Sequence, residues 1–302
     1  MSRVVVTGSH GLVGSAVVRA FRADGHQIVR LVRGEPLADD EAHWDPEGGR
    51  LAPDVFEDVD LVVHLAGENI AARRWSQRVK QRIRDSRVRG TELLVERMLQ
   101  AERPPRVLLS ASAIGYYGDR GDEELTENSP PGEGFLAGVC RDWERAALAA
   151  AERGVRVVCM RFGMILSAAG GALAKMLTPF RLGLGGRVGK GRQYWSWITR
   201  RDVVNAIRFA QQTDALEGPV NFVAPQPVTN RVFTEALGRA LHRPTVFPLP
   251  AFVARIVLGE MADELLLASQ RVYPEKLLAA GFAFSDAVLE DALASALTDT
   301  TL

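Results

Sequence analysis

The stretch Val4-Val5-Val6-Thr7-Gly8-Ser9-His10-Gly11-Leu12-Val13-Gly14 decides how this chain folds. Val4, Val5 and Val6 are β-branched and suit a buried strand. Gly8, Gly11 and Gly14 follow, and Leu12, Val13, Val17, Val18 and Phe21 then recur at helical spacing. Strand, glycine turn and helix in that order make a phosphate-binding βα unit. Gly8 permits the tight turn, Gly11 lets the backbone approach a pyrophosphate, and Gly14 lets helix and strand pack closely. The pyrophosphate rests on unpaired N–H groups at the helix N-terminus, where the dipole favours an anion. Thr7, Gly8, Ser9, His10, Gly11, Leu12, Val13 and Gly14 are therefore expected to line a dinucleotide.

Outward from this unit, strands and helices alternate. Gln27–Val32 reads as an apolar strand, and a charged loop then leads to His43-Trp44-Asp45. Asp60–Leu65 reads as a buried strand, Ser76 to about Glu102 as a long amphipathic helix, and Arg106–Ser110 as the next strand. Phe135–Arg153 is a helix and Val155–Phe162 a further strand. Such alternation implies an α/β fold with a doubly wound parallel sheet, the Rossmann arrangement, which takes ligands beyond the carboxyl ends of its strands.

From Gly170 the texture changes. Gly183, Gly185, Gly186, Gly189 and Gly191 crowd into a loop with Arg187, Lys190 and Arg192, and Trp195 and Trp197 follow. A helix begins near Arg201, Val220–Val223 is a short strand, and Asn230–Leu241 is a helix. Short helices are read within Ala251–Leu267, Pro274–Leu278 and Val288–Leu297. The expected organisation is a dinucleotide-binding domain over residues 1–165, rejoined by about 198–224, and a smaller, mostly helical C-terminal substrate lobe over 166–302.

Composition narrows the function classes. The 302 residues carry 37 basic and 37 acidic side chains, and that balance gives no general attraction to nucleic acid or anionic membranes. No secretory signal and no membrane-spanning stretch is read, so a cytoplasmic protein is expected. Cys140 and Cys159 form no disulfide framework, and the scattered His10, His26, His43, His64 and His242 show no metal-ligand spacing. His64, inside a strand, reads as a satisfied core residue. No metal is expected. The expected partner is a small-molecule substrate, with a homodimer entertained.

The motifs together resemble a known family. Thr7–Gly14, Leu65-Ala66-Gly67 and Leu109-Ser110-Ala111-Ser112 look like an extended short-chain dehydrogenase/reductase. Trp44-Asp45-Pro46, Gly67-Glu68-Asn69-Ile70, Arg74-Trp75, Ser112–Gly118 and Trp143-Glu144 narrow the likeness. So do Gly191-Arg192-Gln193, Ser196-Trp197-Ile198, Pro225–Asn230, Gly259-Glu260 and Gly281-Phe282. The whole chain resembles the atypical branch labelled epimerase family proteins, whose C-terminal segment is a recurrent domain of unknown function.

The departures from that family matter more than the matches. In active relatives a Tyr-x-x-x-Lys pair supplies the general acid/base, and its lysine holds the nicotinamide ribose and lowers the tyrosine pKa. Anchoring the helix on Glu144 puts Leu136 at the tyrosine position and Cys140 at the lysine position. The asparagine of the proton relay is replaced by Arg87, and Ser112 alone of the usual set remains. The resemblance therefore leaves Ser112, Tyr116 and Tyr117 as the candidate catalytic groups, with one tyrosine as a substitute acid.

The resemblance also sets the cofactor. NAD-specific relatives carry an acidic residue at the position of Val32, and Arg33 beside it can clamp a 2′-phosphate, which points to NADP(H). Leu65, Ala66, Gly67 and Ser110 are expected along the cofactor. Glu68, Asn69, Arg192 and Trp197 are expected toward the substrate, with Lys80, Arg87, Trp75 and Trp195 as further lining. The leading reading is an NADP(H)-binding oxidoreductase or nucleotide-sugar-epimerase-like enzyme acting on a small polar compound. The alternative is a non-catalytic NADP(H)-responsive regulator or scaffold, since an intact cofactor loop beside an erased catalytic pair fits either history.

Overall fold

The computed structural model describes residues 2–299. Val4, Val5 and Val6 lie in β1 (Arg3–Thr7), and none of the three is exposed to solvent. A strand buried on both faces needs a helix layer on each side, and the chain supplies both. It winds through α1 (Leu12–Ala23), β2 (Gln27–Val32), β3 (Glu41–Asp45), β4 (Arg50–Leu51) and β5 (Leu61–His64). Next come α2 (Gln77–Met98), β6 (Val107–Ala113), β7 (Glu124–Leu125), α3 (Phe135–Leu148) and β8 (Arg156–Phe162).

The remaining elements are β9 (Met164–Leu166), α4 (Gly171–Arg181), β10 (Tyr194–Trp195), β11 (Trp197–Thr199), α5 (Arg200–Gln212) and β12 (Gly218–Phe222). They end with β13 (Val228–Thr229), α6 (Asn230–Leu241), α7 (Ala251–Leu258), β14 (Arg271–Val272), α8 (Glu275–Ala279) and α9 (Leu289–Thr298). A π-helical turn, Ala262–Leu267, follows α7.

Eight strands form the main sheet in the order β12-β8-β6-β5-β1-β2-β3-β4. Every neighbouring pair from β12 to β3 is parallel, and only β4 runs antiparallel. From β1 the chain builds outward through β2 on one side and returns through β5 and β6 on the other. That reversal between β1 and β5 opens a crevice at the strand ends, where such sheets take ligands. Alternate residues of β1 feed opposite layers, as a pleated strand requires. Val4 and Val6 join a core with Val17, Phe21, Val203 and Ile207, while Val5 packs with Leu31, Trp44, Leu94 and Met98.

A third core holds the C-terminal lobe, with Leu173, Leu177, Trp197, Phe233 and Leu293 packed together. Side-chain caps fix where several helices start. Ser76 accepts from the Val79 N–H at α2, Thr199 from Asp202 at α5 and Thr229 from Val232 at α6.

Several elements differ from the sequence reading, β3 and α4 among them. Glu41–Asp45 is a strand rather than loop, because β2 and β4 supply its hydrogen bonds while Trp44 alone buries an apolar side chain. Helix α4 contains Pro179 and starts at a glycine, so local signals argue against it, yet Leu173, Leu177 and Phe180 bury one face. Among the described residues no helix is long and apolar enough to cross a membrane.

Candidate active site

The glycine loop sits at the C-terminal end of β1 and needs glycine at positions 8 and 14. Gly8 has φ +66°, and a Cβ there would stand 2.9 Å from the Leu65 carbonyl. A Cβ on Gly14 would lie 2.1 Å from the Gly8 carbonyl oxygen, so α1 could not approach β1 with any side chain at that position. Gly11 donates to the Gly8 carbonyl at 2.9 Å and N-caps α1 without a side-chain bond. The first turn of α1 holds no acidic residue. Its leading amides are thus left for an anion, with the positive end of the dipole behind them.

Beneath the loop runs a buried polar chain. The Thr7 hydroxyl accepts from the Leu65 and Ala66 N–H groups at 3.0 and 3.1 Å. Both its lone pairs are then used, so it donates to Nδ1 of His64, 2.8 Å away. That fixes the proton of neutral His64 on Nε2, which donates to Thr91 Oγ1 at 2.9 Å, and Thr91 donates to the Arg87 carbonyl at 2.6 Å. Burial pushes the His64 pKa down to about 4, so the ring is neutral. Thr7 therefore supports the loop from inside and offers no oxygen to a ligand.

At the adenosine end, β2 stops at a buried Val32, and no carboxylate occupies that position. Arg33 is exposed and forms no ion pair among the described residues. Its neighbour Arg30 is differently placed, held by Asp40 at 2.7 and 2.8 Å and by Glu41 at 3.0 Å. His10 is exposed and stands 3.5 Å from Arg30. Arg33 is thus the available cation at this end.

Across the crevice, the structure gives each nominated proton donor another partner. Ser112 is buried and donates to Glu144 Oε1 at 2.6 Å. The Tyr117 hydroxyl donates to Asn221 Oδ1 at 2.8 Å and accepts from Arg161 at 2.9 Å, and burial pushes its pKa up to about 12. The Tyr116 ring lies 3.5 Å from the Arg161 guanidinium and lines a groove with Arg141, Glu144, Arg145 and Leu148 on α3. Leu136 and Cys140 occupy another face of that helix, against Gly115. Both hydroxyls are therefore buried and engaged by other side chains.

The group that the motif reading missed is the pair at the centre of this network. Glu144 accepts from Arg161 Nε and Nη2, both at 2.7 Å, and both side chains are buried. Burial disfavours the Arg161 charge, but the bonds and charge of Glu144 outweigh it and raise the pKa. Their spacing in sequence carries no periodic signal. Only the meeting of α3 and β8 reveals the pair.

The substrate candidates also separate. Glu68 is half-buried at the crevice edge and Asn69 is exposed, its Oδ1 closing a turn onto the Ala71 N–H. Arg192 is exposed on the glycine-rich loop. Trp197 is 0% exposed and donates to the Gln226 carbonyl, so its substrate assignment is corrected to a core role. Trp75 packs edge-on against Phe135. Residues 259–264 also return to this edge. Glu260 pairs with Lys80 at 2.8 Å, and the Glu264 carboxylate accepts from the Phe135 and Leu136 amides at 2.8 and 3.1 Å, capping α3.

Comparison with known proteins agrees with this architecture. The model of the NAD dependent epimerase/dehydratase family matches residues 4–223, and that of a domain of unknown function (DUF1731) matches residues 249–296. An epimerase family protein of Mycobacterium bovis is 48% identical over 98% of this chain and 97% of its own length. Among solved structures, human epimerase family protein SDR39U1 (isoform 2), crystallised with NADPH, gives a TM-score of 0.88 at 34% identity. That match covers 97% of this chain and 98% of the human one. A nucleoside-diphosphate sugar epimerase from Corynebacterium glutamicum gives a TM-score of 0.82 at 37% identity, covering 98% of this chain and 58% of its own. With an uncapped helix N-terminus behind a glycine loop and relatives alike along its whole length, this chain belongs to the NAD dependent epimerase/dehydratase family, in the branch of epimerase family proteins.

Proposed function

We propose that this chain binds NADP(H) and exchanges hydride with a small polar compound, by a route that does not use the tyrosine–lysine pair of its relatives. The observation that carries the reading is the cradle itself. Gly8 and Gly14 let the turn close tightly against β5 and α1, which leaves the first amides of α1 for a pyrophosphate, and the exposed Arg33 beside Val32 suits a 2′-phosphate. Ser9, His10, Leu12, Val13, Leu65, Ala66, Gly67 and Ser110 complete the cofactor path. The crystallised human relative was solved with NADPH, which supports the same cofactor here.

When bound, the nicotinamide supplies or accepts a hydride. This chain's residues fix its position and exclude water. Leu136 and Cys140 hold no transferable proton, since burial pushes the Cys140 thiol pKa up to about 12. Glu68, Asn69 and Arg192 offer polar groups to the substrate at the crevice edge. Such a site favours an acceptor that tolerates hydride addition without a proton from the protein, a quinone-like or conjugated carbonyl for example.

A second reading is favoured by the engaged hydroxyls of Ser112 and Tyr117, namely an NADP(H)-responsive binding protein without turnover. The test is a panel of quinones, aldehydes and sugar nucleotides followed by NADPH absorbance, alongside calorimetry with NADPH. Turnover of any member establishes the enzyme. Tight NADPH binding with none turned over establishes the binder.

A further inference from the structure

The C-terminal lobe leaves one of its helices nearly unpartnered. Helix α7 reads Ala-Phe-Val-Ala-Arg-Ile-Val-Leu, and Ala254 alone of these residues is buried. A surface helix of a globular protein turns a polar face to water. Here Phe252 and Ile256, one turn apart, are 64% and 68% exposed, and Val257 beside them is 62% exposed. The chain leading into α7 has the same character. Gly186 bridges to Val246 and Val188 to Leu249, which brings the glycine-rich loop after α4 against residues 246–249. A Cβ on Gly186 would lie 1.9 Å from the Phe247 carbonyl oxygen, so only glycine allows that approach. Val188 and Leu249 turn inward to the third core. Leu184, Val246 and Phe247 are left exposed, with Leu182 at the entry to the loop.

Charge around this face is one-sided. Residues 181–192 and 242–259 contain Arg181, Arg187, Lys190, Arg192, Arg243 and Arg255 and no Asp or Glu. Asp263 pairs with Arg255 at 2.9 Å, and Glu235 shares a groove with Arg243. Arg181, Arg187, Lys190 and Arg192 are exposed and form no ion pair among the described residues. The zero net charge of the whole chain conceals this local excess. Between the cations, residues 182–186 and 246–258 offer no hydrogen-bonding side chain other than Arg255. A protein partner is ordinarily held with about one hydrogen bond per 100–200 Å² of interface. A second copy of this chain, paired about a twofold axis, would bring two cation-rimmed faces together. An anionic bilayer demands neither, because apolar side chains enter the boundary between headgroups and acyl chains while Arg and Lys stay among the headgroups.

We propose that this face, α7 with the ribbon beside it, docks the protein on an anionic membrane surface. Phe247, Phe252, Ile256 and Val257 are the inserting groups, and Arg181, Arg187 and Lys190 meet the lipid headgroups. With 8 residues α7 is far short of the roughly 20 needed to span a bilayer, so the contact is peripheral and reversible. Docking carries the edge of the crevice to the membrane. Helix α7 ends at Gly259, where a Cβ would lie 2.8 Å from Arg74 Nε, and Glu260 then pairs with Lys80 on α2. The inference does not depend on the cofactor reading.

Cosedimentation of the full chain with lipid vesicles tests it. Equimolar phosphatidylglycerol–phosphatidylcholine vesicles should bind at least about tenfold more tightly than pure phosphatidylcholine vesicles, and the preference should fall as salt rises. Two variants separate the contributions. Phe252→Gln combined with Ile256→Gln removes the inserting groups, and Arg181→Gln, Arg187→Gln and Lys190→Gln together remove the cations. Each variant should weaken binding to the anionic vesicles by about tenfold or more, since one cation near such a surface contributes about fivefold. All five positions are exposed, so the fold should survive, and thermal melting checks this. Absence of binding to the anionic vesicles overturns the proposal, as does equal binding to both vesicle types. Wild-type binding by either variant overturns it as well. Light scattering tests the second copy as occupant, and a dimer that the Phe252–Ile256 variant dissociates would overturn membrane docking.

Discussion

Lowering the pH from 7 to 5 should remove about 2 kcal/mol of stability through His64 alone. The ring is wholly buried between Thr7 and Thr91, and burial holds its pKa at about 4 against an ordinary 6.5. Between these values the unfolded chain binds the proton and the folded chain does not. Stability therefore rises with pH across the window and is lost as the pH falls. The full difference approaches about 3 kcal/mol near pH 4, at about 1.4 kcal/mol for each unit of pKa. Protonation also removes the acceptor at Nδ1, so the Thr7 hydroxyl loses its partner and the Leu65–Ala66 turn loses its support. Urea unfolding of the wild type and of His64→Gln at pH 7 and pH 5 isolates this contribution from the surface carboxylates. His64→Gln is expected to be less stable at pH 7 but to lose about 2 kcal/mol less on acidification. Parallel losses in the two proteins would refute the reasoning, as they would mean that His64 carries no linked proton.

The remaining predictions concern the cofactor site and its frame. Arg33→Ala should cost NADPH about 1.5–3 kcal/mol of binding and leave NADH unchanged, measured by calorimetry. Gly14→Ala places a Cβ 2.1 Å from the Gly8 carbonyl, so it should destabilise the fold by about 1–3 kcal/mol and abolish NADPH binding, seen by thermal melting and titration. Glu144→Gln leaves Arg161 buried without its carboxylate and should cost about 3–5 kcal/mol in urea unfolding, whereas Ser112→Ala should cost far less. For any substrate the panel identifies, Ser112→Ala and Tyr117→Phe should each keep turnover within about tenfold of wild type, below the loss expected of a general acid.

Polar contacts from three other elements hold α3 in place. Glu144 on α3 grips Arg161 on β8, and the Arg161–Tyr117–Asn221 bonds carry that grip to β12. Leu136 and Cys140 lie on another face of the same helix, buried against Gly115. Glu264 adds a second fixation by capping the same helix from the C-terminal segment.

The sequence by itself determined the dinucleotide fold. Val4–Val6, the glycine spacing and the apolar period of α1 are local signals, because strand burial, turn conformation and helix amphipathicity each depend on residues within a few positions. The loss of the tyrosine and lysine was equally legible, as was the absence of an acid at Val32. What the tertiary structure decided is which polar groups remain available to a ligand. Ser112 and Tyr117 look reactive in sequence, but the meeting of α3, β8 and β12 buries their hydroxyls in bonds to Glu144, Arg161 and Asn221. Trp197 reads as a stacking surface until β11 carries it into the core of the C-terminal lobe. Each of these outcomes depends on partners tens of residues away, and the pairing of distant groups is a property of packing that no local pattern encodes.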